Sequence, residues 1–159
     1  MSADAKLKAL GLTLPGAMVV PAGVELPFAF VNVVGNRAII SGHLPQATDG
    51  SIAGPTGKVG VEVDEETAYA MARQVGLSIL ASLKRELGSL DRITRWVRLF
   101  GMVNVAPEFN RLPPVINGAS DLILEVFGPE IGKHARSAVG MAALPFDVPV
   151  EIEGEVLFD

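Results

Sequence analysis

The sequence contains no cysteine, which excludes disulfides, thiolate metal sites and a cysteine nucleophile. Its two histidines, His43 and His134, have no Asp or Glu at the helical spacing of metal ligands, so no metal is expected. Ser41 and Gly42 do not lie in a nucleophile elbow, which argues against a hydrolytic triad. The glycines of residues 44–60 match neither a phosphate-binding loop nor a dinucleotide fingerprint, so no cofactor is expected.

Positive charge and long apolar runs are also scarce. The chain has 13 basic and 18 acidic residues, a net charge of −5, and no basic stretch, which disfavours nucleic acid as a partner. Proline, glycine and glutamate interrupt every apolar run before it reaches bilayer-spanning length, so no membrane partner is expected. Residues 1–6 lack the apolar core of a secretory signal. These features favour a cytoplasmic protein.

Apolar residues are abundant overall. They make up 49% of the chain, and the mean hydropathy is +0.39, which is high for a small domain. An apolar surface left exposed on a monomer usually marks an association surface, so the composition predicts a homo-oligomer with closed symmetry. A length of 159 residues fits a single domain, with residues 1–26 as an irregular arm that holds one helical turn near residues 6–10.

Strand and helix signals follow one another along the chain. Residues 28–33 and 37–41 are strand-like and flank Gly35-Asn36, which predicts a hairpin. Asp64 as N-cap and Gly88 as stop delimit a helix whose apolar residues recur every three or four positions.

The next two elements are a strand and a helix. The alternation of residues 94–105 predicts a central strand with Leu99 on one face and Trp96 on the other. After Pro113-Pro114, residues 115–127 form a second helix that ends at Gly128-Pro129. With two strands at the C-terminus, the order predicts an α+β fold: a mixed sheet with two helices packed on one face.

The C-terminal strands contain the most distinctive residues. Arg136, Ala138 and Gly140 share one strand face, and three glutamates, the first of them Glu151, share a face of the last strand. If these faces coincide, a guanidinium lies among carboxylates in a small concave niche suited to a planar carboxylate ligand. Alternatively, Arg136 is a surface ion-pair partner of Glu151 or Glu153.

Four segments form a further pattern. Residues 134–140 read His-Ala-Arg-Ser-Ala-Val-Gly, residues 150–153 Val-Glu-Ile-Glu, residues 41–45 Ser-Gly-His-Leu-Pro and residues 117–121 Asn-Gly-Ala-Ser-Asp. In chain order they resemble the RidA (YjgF) family of imine and enamine deaminases, also called endoribonuclease L-PSP-like, whose motif at the position of residues 41–45 is Ser-Gly-Gln-x-Pro. The resemblance implies one RidA-like domain over residues 1–159, with a chorismate-mutase-like fold and a homotrimer with sites at the subunit interfaces.

The resemblance also implies the site residues. Arg136 corresponds to the arginine that holds the substrate carboxylate, and Glu151 to the glutamate that binds the attacking water. The substrate-binding positions are Phe28, Ser41, Gly42, Asn117 and Ala138. Many relatives have tyrosine at position 28 and cysteine at 138. Asn117 lies in a predicted first helical turn, where capping of the local backbone explains it equally well.

The implied function is hydrolysis of 2-imino acids, or their enamine tautomers, to keto acids and ammonia. The implied partner is therefore a small carboxylate-bearing metabolite. A second hypothesis is a binding or interaction protein that keeps the trimeric scaffold without turnover, which Phe28 and Ala138 favour. A third is the endoribonuclease activity attached by name to several relatives, which the acidic charge disfavours.

Overall fold

The computed structural model describes all 159 residues. Its helices are α1 (Ala3–Ala9), α2 (Glu65–Leu87) and α3 (Leu112–Gly132). Its strands are β1 (Val31–Val34), β2 (Arg37–His43), β3 (Ile93–Asn104), β4 (Ala135–Met141) and β5 (Val150–Phe158). None of the helices combines the length and the apolar character that crossing a lipid bilayer requires.

The five strands form one mixed sheet in the order β1-β2-β5-β3-β4. β4 runs parallel to β3, and the other neighbouring strands are antiparallel. The predicted α+β class, the hairpin of β1 and β2, and the two helices on one face are confirmed. In the hairpin turn Gly35 has φ 61°, a conformation that glycine adopts without steric cost. α1 is longer than the single turn expected in the N-terminal arm.

The boundaries of α2 and α3 follow from local chemistry. The Asp64 side chain accepts a hydrogen bond from the Thr67 backbone N–H, and α2 ends at Gly88 with φ 84°, both as predicted. α3 begins three residues earlier than predicted, because Pro113 and Pro114 lie in its first turn, where a missing N–H costs nothing. Helical geometry breaks at Gly128 as predicted, with φ 73° and ψ 170°.

The hydrophobic core lies between the sheet and the pair α2 and α3, and it contains 29 buried residues. Leu99, Val103 and Ile152 point into it from the sheet. Trp96 also points into the core and packs edge-on against Phe127, so its predicted placement on the opposite face is wrong. The cause is a register shift between Trp96 and Arg98, since an extra residue in a strand reverses the alternation beyond it.

The opposite face of the sheet carries no helix. Glu151, Glu153 and Glu155 of β5 point to this side, and Phe100 and Met102 of β3 lie opposite them in register. Val34 and Ile39 of the β1–β2 hairpin expose apolar surface on the same face. We call this side the helix-free face.

α3 approaches α2 most closely at Gly118, beside the predicted site residue Asn117. A Cβ at Gly118 would overlap the carbonyl oxygen of Tyr69 and lie 3.0 Å from the backbone nitrogen of Arg73. Both neighbours belong to the backbone of α2, so neither can move without displacing the helix.

We therefore predict that Gly118→Ala lowers the free energy of unfolding by about 1–3 kcal/mol, measured by urea denaturation. Gly76→Ala on α2 is the matched control. Its Cβ would come too close to one atom, Leu122 Cδ2 at 2.8 Å, and this side chain can rotate, whereas the nearest backbone atom, Ala119 Cα, lies at an ordinary contact distance of 3.6 Å. Alanine also improves helix propensity by about 1 kcal/mol, so Gly76→Ala is expected to be nearly neutral. Equal destabilisation by the two variants would contradict the close backbone approach at Gly118.

Candidate functional site

Arg136 lies on β4, an edge strand of the sheet, and points toward the helices. Its Nη1 donates hydrogen bonds to Asn117 Oδ1 at 2.7 Å and to Ser120 Oγ at 3.1 Å. Asn117 and Ser120 are three residues apart on α3 and therefore share one helix face. The Asn117 side chain thus holds the guanidinium rather than capping the helix.

A second pair of hydrogen bonds fixes Ser120. Its Oγ lies 2.9 Å from His134 Nε2, and His134 Nδ1 lies 2.7 Å from the Gly132 carbonyl oxygen. Since a carbonyl only accepts, Nδ1 carries the proton, and Nε2 of the neutral ring accepts from the Ser120 hydroxyl. Burial lowers the pKa of His134, which favours this neutral form. All three hydrogen bonds therefore have the same direction: Arg136 donates to Ser120, Ser120 donates to His134, and His134 donates to the Gly132 carbonyl oxygen.

The rest of the Arg136 guanidinium is not bonded within the chain. The four ion pairs of the structure involve other arginines and lysines, and neither Nε nor Nη2 donates to a protein acceptor. The side chain is half-buried, and this burial lowers its pKa from the usual value. One edge of the guanidinium, formed by Nε and Nη2, therefore remains available to a planar carboxylate.

The predicted niche between Arg136 and the glutamates is wrong for a single chain. β3 separates β4 from β5, and Arg136 is in register with Leu99, which points into the core. Glu151 is in register with Met102 and points to the helix-free face. The two site residues thus lie on opposite faces of the sheet. The same geometry excludes the alternative in which Arg136 pairs with Glu151 or Glu153.

Ala138 lies with Arg136, while Phe28, Gly42 and Glu151 form a separate group. Ala138 is in register with Gly101, whose added Cβ would meet Ile116 of α3, so it shares the helix side of the sheet with Arg136. The other three line one cleft of about 370 Å³. Its remaining walls come mainly from the arm and from the β4–β5 connection: Met18, Val19, Val20, Pro21, Val24, Leu26, Phe30, Leu44, Pro145 and Phe146. The candidate residues therefore occupy two surfaces of the chain.

Glu151 is the only charged residue that lines this cleft. Burial, with a smaller contribution from the nearby charge of Glu153, raises the pKa of Glu151 above its usual value. Gly42 allows this arrangement, because a Cβ there would overlap Glu151 Oε1. A carboxyl group in such a setting can exchange protons closer to neutral pH than an exposed glutamate.

Ser41 and His43 flank Gly42 and fix its position. The Ser41 hydroxyl donates to the Ala29 carbonyl oxygen at 2.7 Å, so its side chain anchors the segment that leads into β1. His43 Nδ1 lies 2.6 Å from the Ser41 carbonyl oxygen, and Nε2 lies 2.8 Å from Ser82 Oγ. The His43 ring is almost fully buried, and burial lowers its pKa to about 4. A neutral histidine therefore holds the irregular part of β2 at Ser41-Gly42, where the pairing with β5 shifts in register.

Sequence reasoning missed Ser120, His134 and Phe146 as neighbours of the site. Ser120 could have been found, because it follows Asn117 by three residues on a predicted helix. The position of His134 depends on the last turn of α3, which lies beyond the predicted helix end. Phe146 adopts φ 54°, a left-handed conformation that its residue type does not suggest.

Comparison with known proteins identifies the family. A sequence profile described as "YjgF/chorismate_mutase-like, putative endoribonuclease" matches residues 4–150. The chain belongs to the YjgF/chorismate mutase-like family. Protein TCP17 of Trypanosoma cruzi is 40% identical over 152 residues, which cover 96% of this chain and 91% of that protein.

Solved structures of YjgF-like proteins confirm the fold. A protein of unknown function from Agrobacterium tumefaciens is 42% identical with a TM-score of 0.86, over 99% of this chain and 94% of that one. A "putative endoribonuclease" from Shewanella oneidensis is 28% identical with a TM-score of 0.88, over 99% and 100% of the two chains. The YjgF gene product of E. coli shares the fold at 21% identity and a TM-score of 0.60, over 91% and 97%.

The buried His43 predicts a pH dependence of stability. An unfolded histidine has a pKa near 6.5, whereas the pKa of folded His43 is about 4. Between these values the unfolded chain binds more protons, so the free energy of unfolding is fully retained above about pH 6.5 and decreases as the pH falls toward 4. The expected contribution of His43 is a loss of about 2 kcal/mol between pH 7 and pH 5.

The matched variant is His43→Gln, which introduces the residue found in the YjgF-family motif and removes the titrating ring. Urea denaturation at pH 7 and pH 5 measures both proteins. The carboxylates and His134 titrate in both, so the difference between the two pH responses isolates His43. Parallel responses would show that His43 is not held neutral in the folded state.

Proposed function

We propose that this protein hydrolyses 2-imino acids, or their enamine tautomers, to 2-keto acids and ammonia. The observation that supports this most directly is the state of Arg136. Asn117 and Ser120 hold the guanidinium through Nη1 alone, and no carboxylate of the chain forms an ion pair with it, although Asp121 is near enough to act on its charge. A half-buried cation fixed in this way is suited to bind an external anion.

The available edge of Arg136 defines the ligand group. Nε and Nη2 present two parallel N–H donors, and these match the two oxygens of a carboxylate. Because Asn117 and Ser120 already fix the orientation of the guanidinium, less conformational entropy is lost when the ligand binds. A bidentate contact also orients the substrate, so that its imine carbon has a defined direction from the carboxylate.

Glu151 would supply the proton transfers. In the proposed reaction, Glu151 accepts a proton from a water molecule as its oxygen bonds to the imine carbon, which gives a tetrahedral carbinolamine. The protonated carboxyl returns this proton to the nitrogen. Glu151 then removes the proton of the carbinolamine hydroxyl and delivers it to the nitrogen as the carbon–nitrogen bond breaks, so that ammonia leaves and the hydroxyl becomes the carbonyl of the keto acid. The raised pKa of Glu151 suits a group that both accepts and donates a proton near neutral pH. No cofactor is needed for this sequence.

Arg136 and Glu151 can act together only if two chains contribute to one site. The helix-free face supports this step, because it exposes Val34 and Ile39 without a covering helix. We propose that a homotrimer, as the family resemblance implies, brings the Arg136 surface of one subunit to the Glu151 cleft of the next. Each trimer would then contain three equivalent sites.

Two other functions are consistent with part of the structure. A binding protein without turnover is favoured by Phe28, which adds to the apolar wall of the cleft where many relatives have a hydroxyl. An endoribonuclease, the activity in the family description, has less support. The cleft that contains Glu151 is lined by no lysine or arginine, whereas binding of a phosphate backbone requires such residues.

The role of Arg136 predicts the effect of Arg136→Ala. Loss of a desolvated carboxylate contact should cost about 2–4 kcal/mol, which lowers kcat/KM for a 2-imino acid by roughly 30- to 1,000-fold. The assay generates the imine with an amino-acid oxidase and measures its diversion from semicarbazide to the keto acid. The control is Arg111→Ala, which removes an exposed arginine paired with Glu65. An unchanged rate in Arg136→Ala would reject the proposed role.

Mixing two inactive variants tests the shared site. Arg136→Ala and Glu151→Gln are each expected to lose activity, but a trimer that contains both can combine an intact Arg136 with an intact Glu151. After co-refolding in equal amounts, about a quarter of the sites should be complete, with a corresponding recovery of activity. Recovery at this level supports a site between subunits. No recovery would overturn the proposal that Arg136 and Glu151 of neighbouring subunits form one site.

A further inference from the structure

Phe146 lies beside the cleft in a conformation that costs energy. It adopts φ 54° and Asp147 adopts φ 56°, and these are the only residues other than glycine with positive φ. A bulky side chain rarely occupies this left-handed region unless the surrounding structure imposes it. The ring is 73% exposed and lines the cleft that contains Glu151. The exposed ring therefore gains little from burial within the chain.

Polar contacts to the next residue hold this turn in place. Asp147 Oδ1 accepts a hydrogen bond from Asn104 Nδ2 at 3.0 Å, and the Asp147 carbonyl oxygen accepts from the Gly57 N–H at 2.7 Å. Asn104 is fully buried, and its Oδ1 accepts from Lys58 Nζ at 2.9 Å. These contacts connect the turn to β3 and to the loop before α2. The position of Phe146 is thus determined by groups other than its own side chain.

The cleft has a polar end and a long apolar wall. Glu151 and Gly42 form the polar end, and the wall consists of Phe146, Phe28 and aliphatic residues of the arm such as Val24 and Leu26. A volume of about 370 Å³ is in the range of sites for ligands much larger than a three-carbon acid. A ligand that reacts beside Glu151 must place the remainder of its structure against this wall.

We propose that this cleft selects 2-imino acids with large apolar side chains, branched or aromatic, and that Phe146 is a specificity-determining residue. This inference rests on the proposed function, which assigns the hydrolysis of the imine to Glu151 and the binding of the substrate carboxylate to Arg136. Each methylene buried against the wall should improve binding by about 4-fold, so a branched side chain gains roughly 10- to 100-fold in kcat/KM over a methyl group. Because the backbone at Phe146 is already held in place, the ring provides contact area at a small cost in conformational entropy when the substrate binds.

The test compares the imines of leucine and alanine in the semicarbazide competition assay. The wild-type protein should prefer the leucine imine by at least about 10-fold in kcat/KM. Phe146→Ala should lose most of this preference, because its kcat/KM for the leucine imine should fall more than that for the alanine imine. The control is Val61→Ala, which shortens an equally exposed apolar side chain outside the cleft and should change neither rate.

Phe146→Gly separates specificity from folding. Glycine adopts positive φ without steric cost, so this variant should have a melting temperature equal to or higher than that of the wild type. It should nevertheless lose the preference for the leucine imine. If Phe146 has only a structural role, replacing it will change the melting temperature and not the ratio of the two rates. That result would overturn the proposal, as would equal wild-type rates for the two imines.

A binding measurement distinguishes this inference from the proposed function. If the wild-type protein hydrolyses no imine, the proposed function fails, and calorimetry with 4-methyl-2-oxopentanoate and pyruvate then tests the cleft alone. Tighter binding of the branched acid, weakened in Phe146→Ala, would support the selection of large apolar side chains. Equal affinity for the two acids would overturn it whatever the outcome of the activity assay.

Discussion

The arrangement of this protein depends on keeping one cation and one carboxyl group apart. Opposite charges in direct contact attract strongly in a desolvated setting, and an Arg136 bonded to Glu151 would have no edge left for a ligand. The sheet prevents this by placing them on opposite faces, with β3 between their strands. Arg136 therefore keeps an unpaired edge, and the pKa of Glu151 is raised rather than lowered. Neither group is therefore consumed in an ion pair with the other within the chain.

Two sets of hydrogen bonds support this arrangement, and each joins an arginine, a serine, a histidine and a backbone carbonyl in that sequence. Arg136 donates to Ser120, which lies next to a neutral histidine bonded to a carbonyl oxygen. On the other side of the domain, Arg85 donates to Ser82, which lies next to His43, and the ring in turn bonds the Ser41 carbonyl. In both cases a neutral imidazole makes these hydrogen bonds without requiring a charge. The first set orients the guanidinium, and the second fixes the irregular part of β2 beside Glu151.

The parts of the fold that local chemistry determines could be predicted from the sequence. Asp64 and Gly88 delimit α2, and Gly35 marks the hairpin turn, because capping and positive φ depend on a few adjacent residues. The sequence predicts the wrong face for Trp96, because the pattern of apolar residues in β3 does not reveal the extra residue between Trp96 and Arg98.

The site was only partly predictable for a related reason. Family resemblance selected Arg136 and Glu151 by residue, but their relative position depends on β3 pairing between their two strands, which is a long-range feature. The period of two within a strand says which residues share a face, and it does not say which faces of distant strands coincide. The conformation of Phe146 depends on Asn104, 42 positions away, so no local pattern could have indicated it.

The outer wall of the cleft consists largely of the N-terminal arm, and this has an evolutionary consequence. Val19, Val24 and Leu26 are exposed and contribute little to the hydrophobic core, so substitutions there change the lining at small cost to folding. Asn117 and Ser120, which hold Arg136, lie on α3 among core residues, where substitutions disturb packing. The lining of the cleft can therefore vary more freely among proteins with this scaffold than the contacts of Arg136 can.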